Sequence, residues 1–374
     1  MGAGAYLRTR LGLLLRSRVV LGMLVLVAVI CVGSSLLPGT TGFCPELYHR
    51  RRALFDDAVK SGVISPQTSE QANLLLEYDV ALVALEQVRP DLTGDWHSFT
   101  ADAAHAAEVA IRVGESGLCA FGAGGVGSEA DVRAELALTR ALHDGGWDVY
   151  ASTAEQPATF RLAAVPSLLP GALWTVPTLV IACVLGFDRS SGRLLAQAPM
   201  EARTARVIDS SIAWVAGMLV TVLGWGLAAA VAARNGLGSL DYPVVMTSDA
   251  APCVSNVGAS IASNLARLAL SSLVMSLLSS AASLGRNPWA PTAAVGGTLV
   301  CACLASGAPG STASGAIGFL GVMSSSGTAA YPGDASWLAN APTTPTEVMG
   351  LLSVSLLAYL ASFVRARRHV RGCL

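Results

Sequence analysis

Apolar residues fall into long unbroken runs, and one polar segment, residues 38–161, separates the first run from the rest. Val19–Leu37 is a 19-residue run without a charge. Val165–Phe187 follows, interrupted by Pro166, Pro170 and Pro177, and Ile208–Ala233 has only Asp209 at its edge. Asn256–Leu284 carries Arg267, and Trp289–Ser306 and Thr346–Val364 complete the series. At about 1.5 Å of rise per residue, about 20 helical residues cross a bilayer's hydrocarbon core. Ser311–Met323 is apolar and glycine-rich but only 13 residues long, which suits a re-entrant or interfacial piece. The pattern predicts an all-α, polytopic membrane protein with about six transmembrane helices. Its three regions are a cytoplasmic N-terminus with the first helix (1–37), a small, mainly helical extracytoplasmic domain (38–161) and a five-helix region (162–374). The first run is longer than a signal peptide's apolar core of about 7–15 residues, so it is read as an uncleaved anchor.

Within 38–161 the apolar period is helical. Leu74, Leu75, Tyr78, Leu82 and Leu85 recur along one face after Ser65-Pro66 and before Pro90. Ser98 or Thr100 is expected to cap a second helix running through Val113. Ser128, with Asp131 three residues on, opens a third whose apolar face holds Val132, Leu136 and Leu142, and Gly145-Gly146 stops it. At most a short strand is expected at Trp147–Tyr150. Gly122-Ala-Gly124-Gly-Val-Gly127 matches the glycine spacing of dinucleotide sites. No strand–helix alternation surrounds it, and it reads as an inter-helix loop.

Composition sharpens the class. Charged residues are 13% of the chain, about half the ~25% usual in soluble domains, while hydrophobic residues reach 53%. Residues 38–161 hold 18 acidic and 9 basic side chains, a formal charge of −9. That leaves only 22 charges (49 − 27) on the other 250 residues, too few to cover a water-soluble surface. A soluble enzyme, a disordered chain and a fibrous protein are excluded, and the acidic segment disfavours nucleic acid as a partner. Orientation follows from arginine. With the N-terminus inside, 13 arginines fall on the cytoplasmic side, against Arg234 alone in the short loops opposite. Both termini are therefore expected in the cytoplasm.

Candidate chemistry is sparse. No Ser/His/Asp set, paired carboxylates or metal-ligand cluster stands out, so no catalytic, cofactor or metal residue is assigned. Cys44 and Cys119 could bridge in an oxidising compartment, although Cys253 makes a third external cysteine. Cys31, Cys183, Cys301 and Cys303 lie within apolar runs and read as packing residues, and His97 and His105 as surface residues. The one lysine, Lys60, follows Val59, so no Gly-Lys-Ser/Thr exists to cradle a nucleotide phosphate. The apolar runs lack carboxylates apart from Asp209 and Glu347, each at an edge, which argues against intrinsic ion coupling and favours power from a separate subunit.

The loop after the second run reads Asp188-Arg-Ser-Ser-Gly192-Arg-Leu194-Leu195-Ala-Gln-Ala-Pro199-Met-Glu-Ala-Arg203-Thr-Ala-Arg206. In order and sidedness it resembles the coupling loop of type-2 ABC exporter permeases, where an acidic residue, Gly, a leucine pair, Pro and a basic residue follow the second span. The Leu284-Gly-Arg286-Asn-Pro288 turn agrees with that plan. Asp stands where Glu is commoner in that family, and the Gly-to-Pro interval is about two residues short. The resemblance implies a permease that is not itself an enzyme. Its partners would be a cytoplasmic ABC ATPase that uses the ATP, contacting the loop at 188–207, and a second permease copy or paralogue in the same bilayer.

One further face is distinctive. Ser260, Asn264, Arg267 and Ser271 recur at helical spacing in the fourth run and continue through Ser276, Ser279 and Ser283. An arginine near mid-bilayer costs ~2.5–3.5 kcal/mol on insertion scales. The face either lines an export path or permease dimer, or packs helices through serine. Two other functions stay open on sequence: a membrane-anchored sensor or scaffold whose external helical domain binds a ligand or envelope partner, and a passive or secondary transporter.

Overall fold

A computed structural model of the chain describes residues 3–36, 45–88, 94–124, 126–150, 154–169, 171–190, 202–247 and 252–282, with single positions at 293, 296, 297, 301, 353, 356 and 360. Among the described residues the fold is all-α apart from one hairpin. Helices α1 (Ala3–Arg16) and α2 (Arg18–Leu36) are separated only by Ser17. Then come α3 (Pro45–Lys60), α4 (Ser69–Gln87), α5 (Trp96–Glu115), α6 (Glu129–Gly145) and the short α7 (Ala158–Ala164). Helices α8 (Val176–Ser190) and α9 (Ala202–Ala232) lead to strands β1 (Pro243–Thr247) and β2 (Pro252–Asn256), and α10 (Val257–Ala282) follows directly.

Among the described residues, four helical stretches are long and apolar enough to cross a membrane: Arg18–Leu36, Gly171–Asp188, Thr204–Asn235 and Val257–Ala281. They correspond to the first four expected runs. The fifth and sixth runs and the Ser311–Met323 piece lie outside the described residues. The second run differs from a single helix. Val165–Leu168 and Gly171–Thr175 form two 3-10 turns before α8 begins, because Pro166 and Pro177 each remove a backbone donor and Pro170 falls between the turns. Trp174 Nε1 donates to the Pro166 carbonyl at 2.9 Å and closes this break.

Helix α9 is the centre of the apolar bundle and packs on α2, α7, α8 and α10. Val27, Cys31, Trp174, Val220, Trp225 and Leu268 interlock around it, with Cys31 a packing residue as its run suggested. Gly217 lets α9 close on α8; a Cβ there would meet the Thr178 Cα at 2.6 Å.

Helices α3–α6 pack one on the next as a bundle at one end of α9. Thr68 caps α4 by accepting from Gln71 N, and Ser128 caps α6 by accepting from Asp131 N. The cap of α5 is Asp95, which accepts from Ser98 N at 3.0 Å, rather than Ser98 or Thr100. Gly146 ends α6 in the left-handed region at φ 61. Trp147–Tyr150 forms no strand; it runs beside the hairpin, where Tyr242 donates to the Asp148 carbonyl at 3.0 Å. Residues Gly122–Gly127 form a closed inter-helix loop. Gly122 N donates to the carbonyls of Val126 and Gly127, and Val126 is buried. Gly124 sits so close to the bundle that a Cβ would meet Ile64 at 2.8 Å. Gly124 and Gly127 thus serve close packing within the bundle, and Gly122, at φ 84, serves the turn.

Two seams join the bundle to the apolar helices. Phe160 of α7 stacks edge-on against Tyr242 at 4.3 Å between centroids, and both share a core with Phe99, Leu138 and Val245. Arg161, 5% exposed, donates from Nη2 to the Ser34 carbonyl at 2.8 Å, satisfying an orphan acceptor at the end of α2. Bundle, hairpin and the end of α2 therefore share one end of the apolar helices.

Candidate functional site

The opposite end carries a buried ionic cluster. Helix α1 lies against α8 and α9 and presents Tyr6, Arg10 and Leu14 inward at helical spacing. Arg10 is fully buried. Its Nη1 pairs with Asp188 in the last turn of α8, and its Nε approaches Asp209 Oδ1 at 3.1 Å in the second turn of α9. Nη2 reaches Asp209 Oδ2 at 3.4 Å. The Tyr6 hydroxyl donates to Asp209 Oδ1 at 3.2 Å and receives Arg10 Nε at 2.9 Å. Burial by itself would lower the Arg10 guanidinium, but Asp209, then Tyr6 and Asp188, outweigh it and hold the pKa above the ordinary arginine value. A buried pair of this kind adds little net stability yet is costly to break, so it fixes geometry. Here it fixes the end of α8 and the start of α9 to each other and to α1.

The expected coupling residues divide around this cluster. Asp188 belongs to it, and Arg206 lies half-buried in the first turns of α9. Arg203 stands in the first turn of α9. Gly192, Leu194, Leu195 and Pro199 lie outside the described residues. Beside the cluster is a small cleft of about 10 Å³ between α8, α9 and α10, walled by Leu185, Gly186, Asp209, Ser210, Ser276 and Ser279. That is room for about one water and not for a drug-sized ligand. Sequence reasoning passed over Tyr6 and Arg10, and treated Asp209 only as an edge residue. The available signal was a carboxylate in an otherwise uncharged run, which needs a cationic partner.

The polar face of α10 is brought inward. Ser260, Asn264 and Ser271 are all under 5% exposed. Asn264 Nδ2 donates to the Ala163 carbonyl at 3.2 Å, and Ser276 donates to the Ser210 carbonyl at 2.6 Å. Hydroxyl and amide groups thus tie α10 to α7 and α9 within one chain. Arg267 differs: it is only half-buried, and its Nη1 has no hydrogen-bond partner among the described residues.

In the bundle, Arg51 pairs with Glu135 at 2.8 Å, and the Tyr48 hydroxyl donates to the same carboxylate at 3.0 Å. Cys119 is a free thiol that donates to the Ala123 carbonyl at 3.3 Å, Cys253 is free and exposed, and Cys44 lies outside the described residues. Exposed His97 stacks on His143 at 4.0 Å, and no cluster of three metal-ligating side chains exists among the described residues. In comparisons with family models, with curated proteins and with solved structures, the chain finds no match.

Proposed function

We propose that the chain is the membrane-spanning permease subunit of an ATP-driven exporter, powered by a separate cytoplasmic ATPase. In this reading six helices span the cell membrane, both termini and residues 188–207 are cytoplasmic, and residues 38–161 are extracytoplasmic. The observation that carries it is the Arg10 cluster. A loop that passes force from an ATPase into the spans needs rigid ends, and Arg10 clamps Asp188 and Asp209, one at each end of 191–201. Sidedness supports the same arrangement. The bundle and the 243–256 hairpin meet at one end of α9, while Arg10 and the ends of the arginine-rich loop lie at the other. Leu194 and Leu195 are the apolar anchors for a groove on the ATPase, and Pro199 sets the angle of the chain into α9. The sequence holds no Gly-Lys-Ser/Thr, so hydrolysis belongs to the partner. The test is affinity purification of the full chain from its native membrane, with and without Leu194→Asp and Leu195→Asp together. The double variant keeps every arginine, so it inserts normally but loses both the ATPase and transport.

A further inference from the structure

Arg267 lies ten residues into the 26-residue α10, so about 15 Å of helix rise separates it from Val257. It is nearer the middle of the helix than either end, where an unpaired cation is expensive and marks a functional position. Its Nη1 is buried and lacks a hydrogen-bond partner among the described residues. One turn earlier on the same face, Asn264 is 4% exposed; its Nδ2 is satisfied, but its Oδ1 has no partner there either. A cationic donor and a neutral acceptor thus share one helix face about a turn apart, each with an atom that has no hydrogen-bond partner among the described residues.

The chain does not supply the missing anion from its own spans. None of the seven acidic residues after Arg161 lies in the interior of the fourth, fifth or sixth apolar run. Asp188 and Asp209 already serve Arg10 at the other end of the bundle. A second copy meeting this face through its own α10 would bring another Arg267 rather than a carboxylate. The counter-charge must then come from a ligand that reaches this depth with apolar tails around it.

We infer that Arg267 and Asn264 form a recognition point for the anionic headgroup of an amphiphile. The guanidinium pairs with a phosphate or carboxylate, and the Asn264 carbonyl accepts from a hydroxyl on the same headgroup. A planar fork of donors suits a tetrahedral or planar oxyanion, and the acceptor selects headgroups that also carry hydroxyls. This inference rests on the exporter reading, to which it adds a substrate class: hydroxyl-bearing anionic lipids or lipid-linked molecules.

The experiment is native mass spectrometry of the full chain released from nanodiscs holding equal amounts of phosphatidylcholine and phosphatidylglycerol. The wild-type chain retains phosphatidylglycerol about tenfold over phosphatidylcholine, a ratio worth about 1.4 kcal/mol. Arg267→Gln reduces that ratio to near one while still carrying phosphatidylcholine, which reports an intact particle. Arg267→Lys keeps most of the preference. In a second set of nanodiscs holding equal phosphatidylglycerol and phosphatidic acid, which lacks the headgroup glycerol hydroxyls, wild type prefers phosphatidylglycerol and Asn264→Ala removes that preference. An Arg267→Gln chain that holds phosphatidylglycerol like wild type overturns the site. Displacement of the lipid by millimolar inorganic phosphate overturns the amphiphile assignment in favour of a free anion. No ATPase enters this assay, so its failure leaves the permease reading to be judged by copurification alone.

Discussion

Replacing Arg10 by methionine tests the clamp at the loop's ends. The substitution keeps an unbranched side chain of comparable reach but removes the guanidinium from Asp209, which is 3% exposed. Breaking a buried ion pair by removing one partner costs about 3–5 kcal/mol. The low end applies here, because the Asp188 side chain is 21% exposed and the Tyr6 hydroxyl still donates to Asp209. At about 2.1 cal/mol/K of unfolding entropy per residue, a 374-residue chain shifts by about 1.3 °C per kcal/mol, so a loss of about 3 kcal/mol lowers Tm by about 4 °C. Arg16→Met is the control. It removes the same charge from the same helix, so orientation is affected equally, but Arg16 is exposed and its loss shifts Tm little. Thermal unfolding of the purified chain in detergent, followed by size-exclusion recovery, reads both. The double variant Arg10→Met, Asp209→Asn then recovers about 1 kcal/mol or more of the loss, because the two groups are coupled. Equal Tm values for Arg10→Met and Arg16→Met, or strict additivity with Asp209→Asn, would refute the clamp.

Other parts of the structure yield expectations of different kinds. Gly217→Ala drives a Cβ to 2.6 Å from the Thr178 backbone and lowers stability by about 1–3 kcal/mol despite better helix propensity; Gly226→Ala, with open space around it, is neutral or stabilising by up to about 1 kcal/mol. Burial pushes the Tyr78 phenol up to about 12, with Arg51 opposing and Glu135 adding to it. A raised folded-state value means stability is intact below the unfolded value of about 10 and falls as pH climbs from there towards 12. Alkaline unfolding in that window is therefore shallower in Tyr78→Phe than in wild type. Reporter fusions after Arg161 and Gly238 behave as external and those after Arg203 and Arg286 as cytoplasmic; a cytoplasmic signal after Arg161 contradicts the orientation.

Membrane helices were legible because their rule is simple. The charge-free run at Val19–Leu37 became Arg18–Leu36, and Asn256–Leu284 became Val257–Ala282, with errors of one or two residues at the described ends. Helices α4 and α6 were also legible, from apolar spacing and capping residues. Helix α3 was not: Glu46, Arg50, Arg51 and Arg52 crowd its first turns, and its inward face is carried by Tyr48, Phe55 and Ala58 among those charges. The hairpin was equally hidden. Each strand is five residues long and begins with proline, and the hairpin packs with Trp147 and Phe160 from remote segments beside its own neighbour Tyr242. The Arg10 cluster was invisible for a related reason. Arg10 meets Asp188 178 residues away and Asp209 199 away, separations that local pattern cannot bridge. The serine face of α10 was half legible. Periodicity placed Ser260, Asn264 and Ser271 together, but only packing reveals that they turn inward while Arg267 Nη1 finds no hydrogen-bond partner among the described residues.

The central claim is that this chain couples to an ATPase it does not contain. The direct measurement is ATP hydrolysis by the tagged chain purified from its native membrane, with the copurifying proteins identified. The account predicts a partner bearing a Gly-Lys-Ser/Thr phosphate loop and hydrolysis that disappears when that lysine is changed. Both partner and activity should be absent from the Leu194→Asp, Leu195→Asp double variant, although it inserts normally. An inserted double variant that retains the ATPase and transports would remove the 188–207 loop from coupling. A wild-type chain that purifies from its native membrane with no such ATPase would contradict the permease assignment itself.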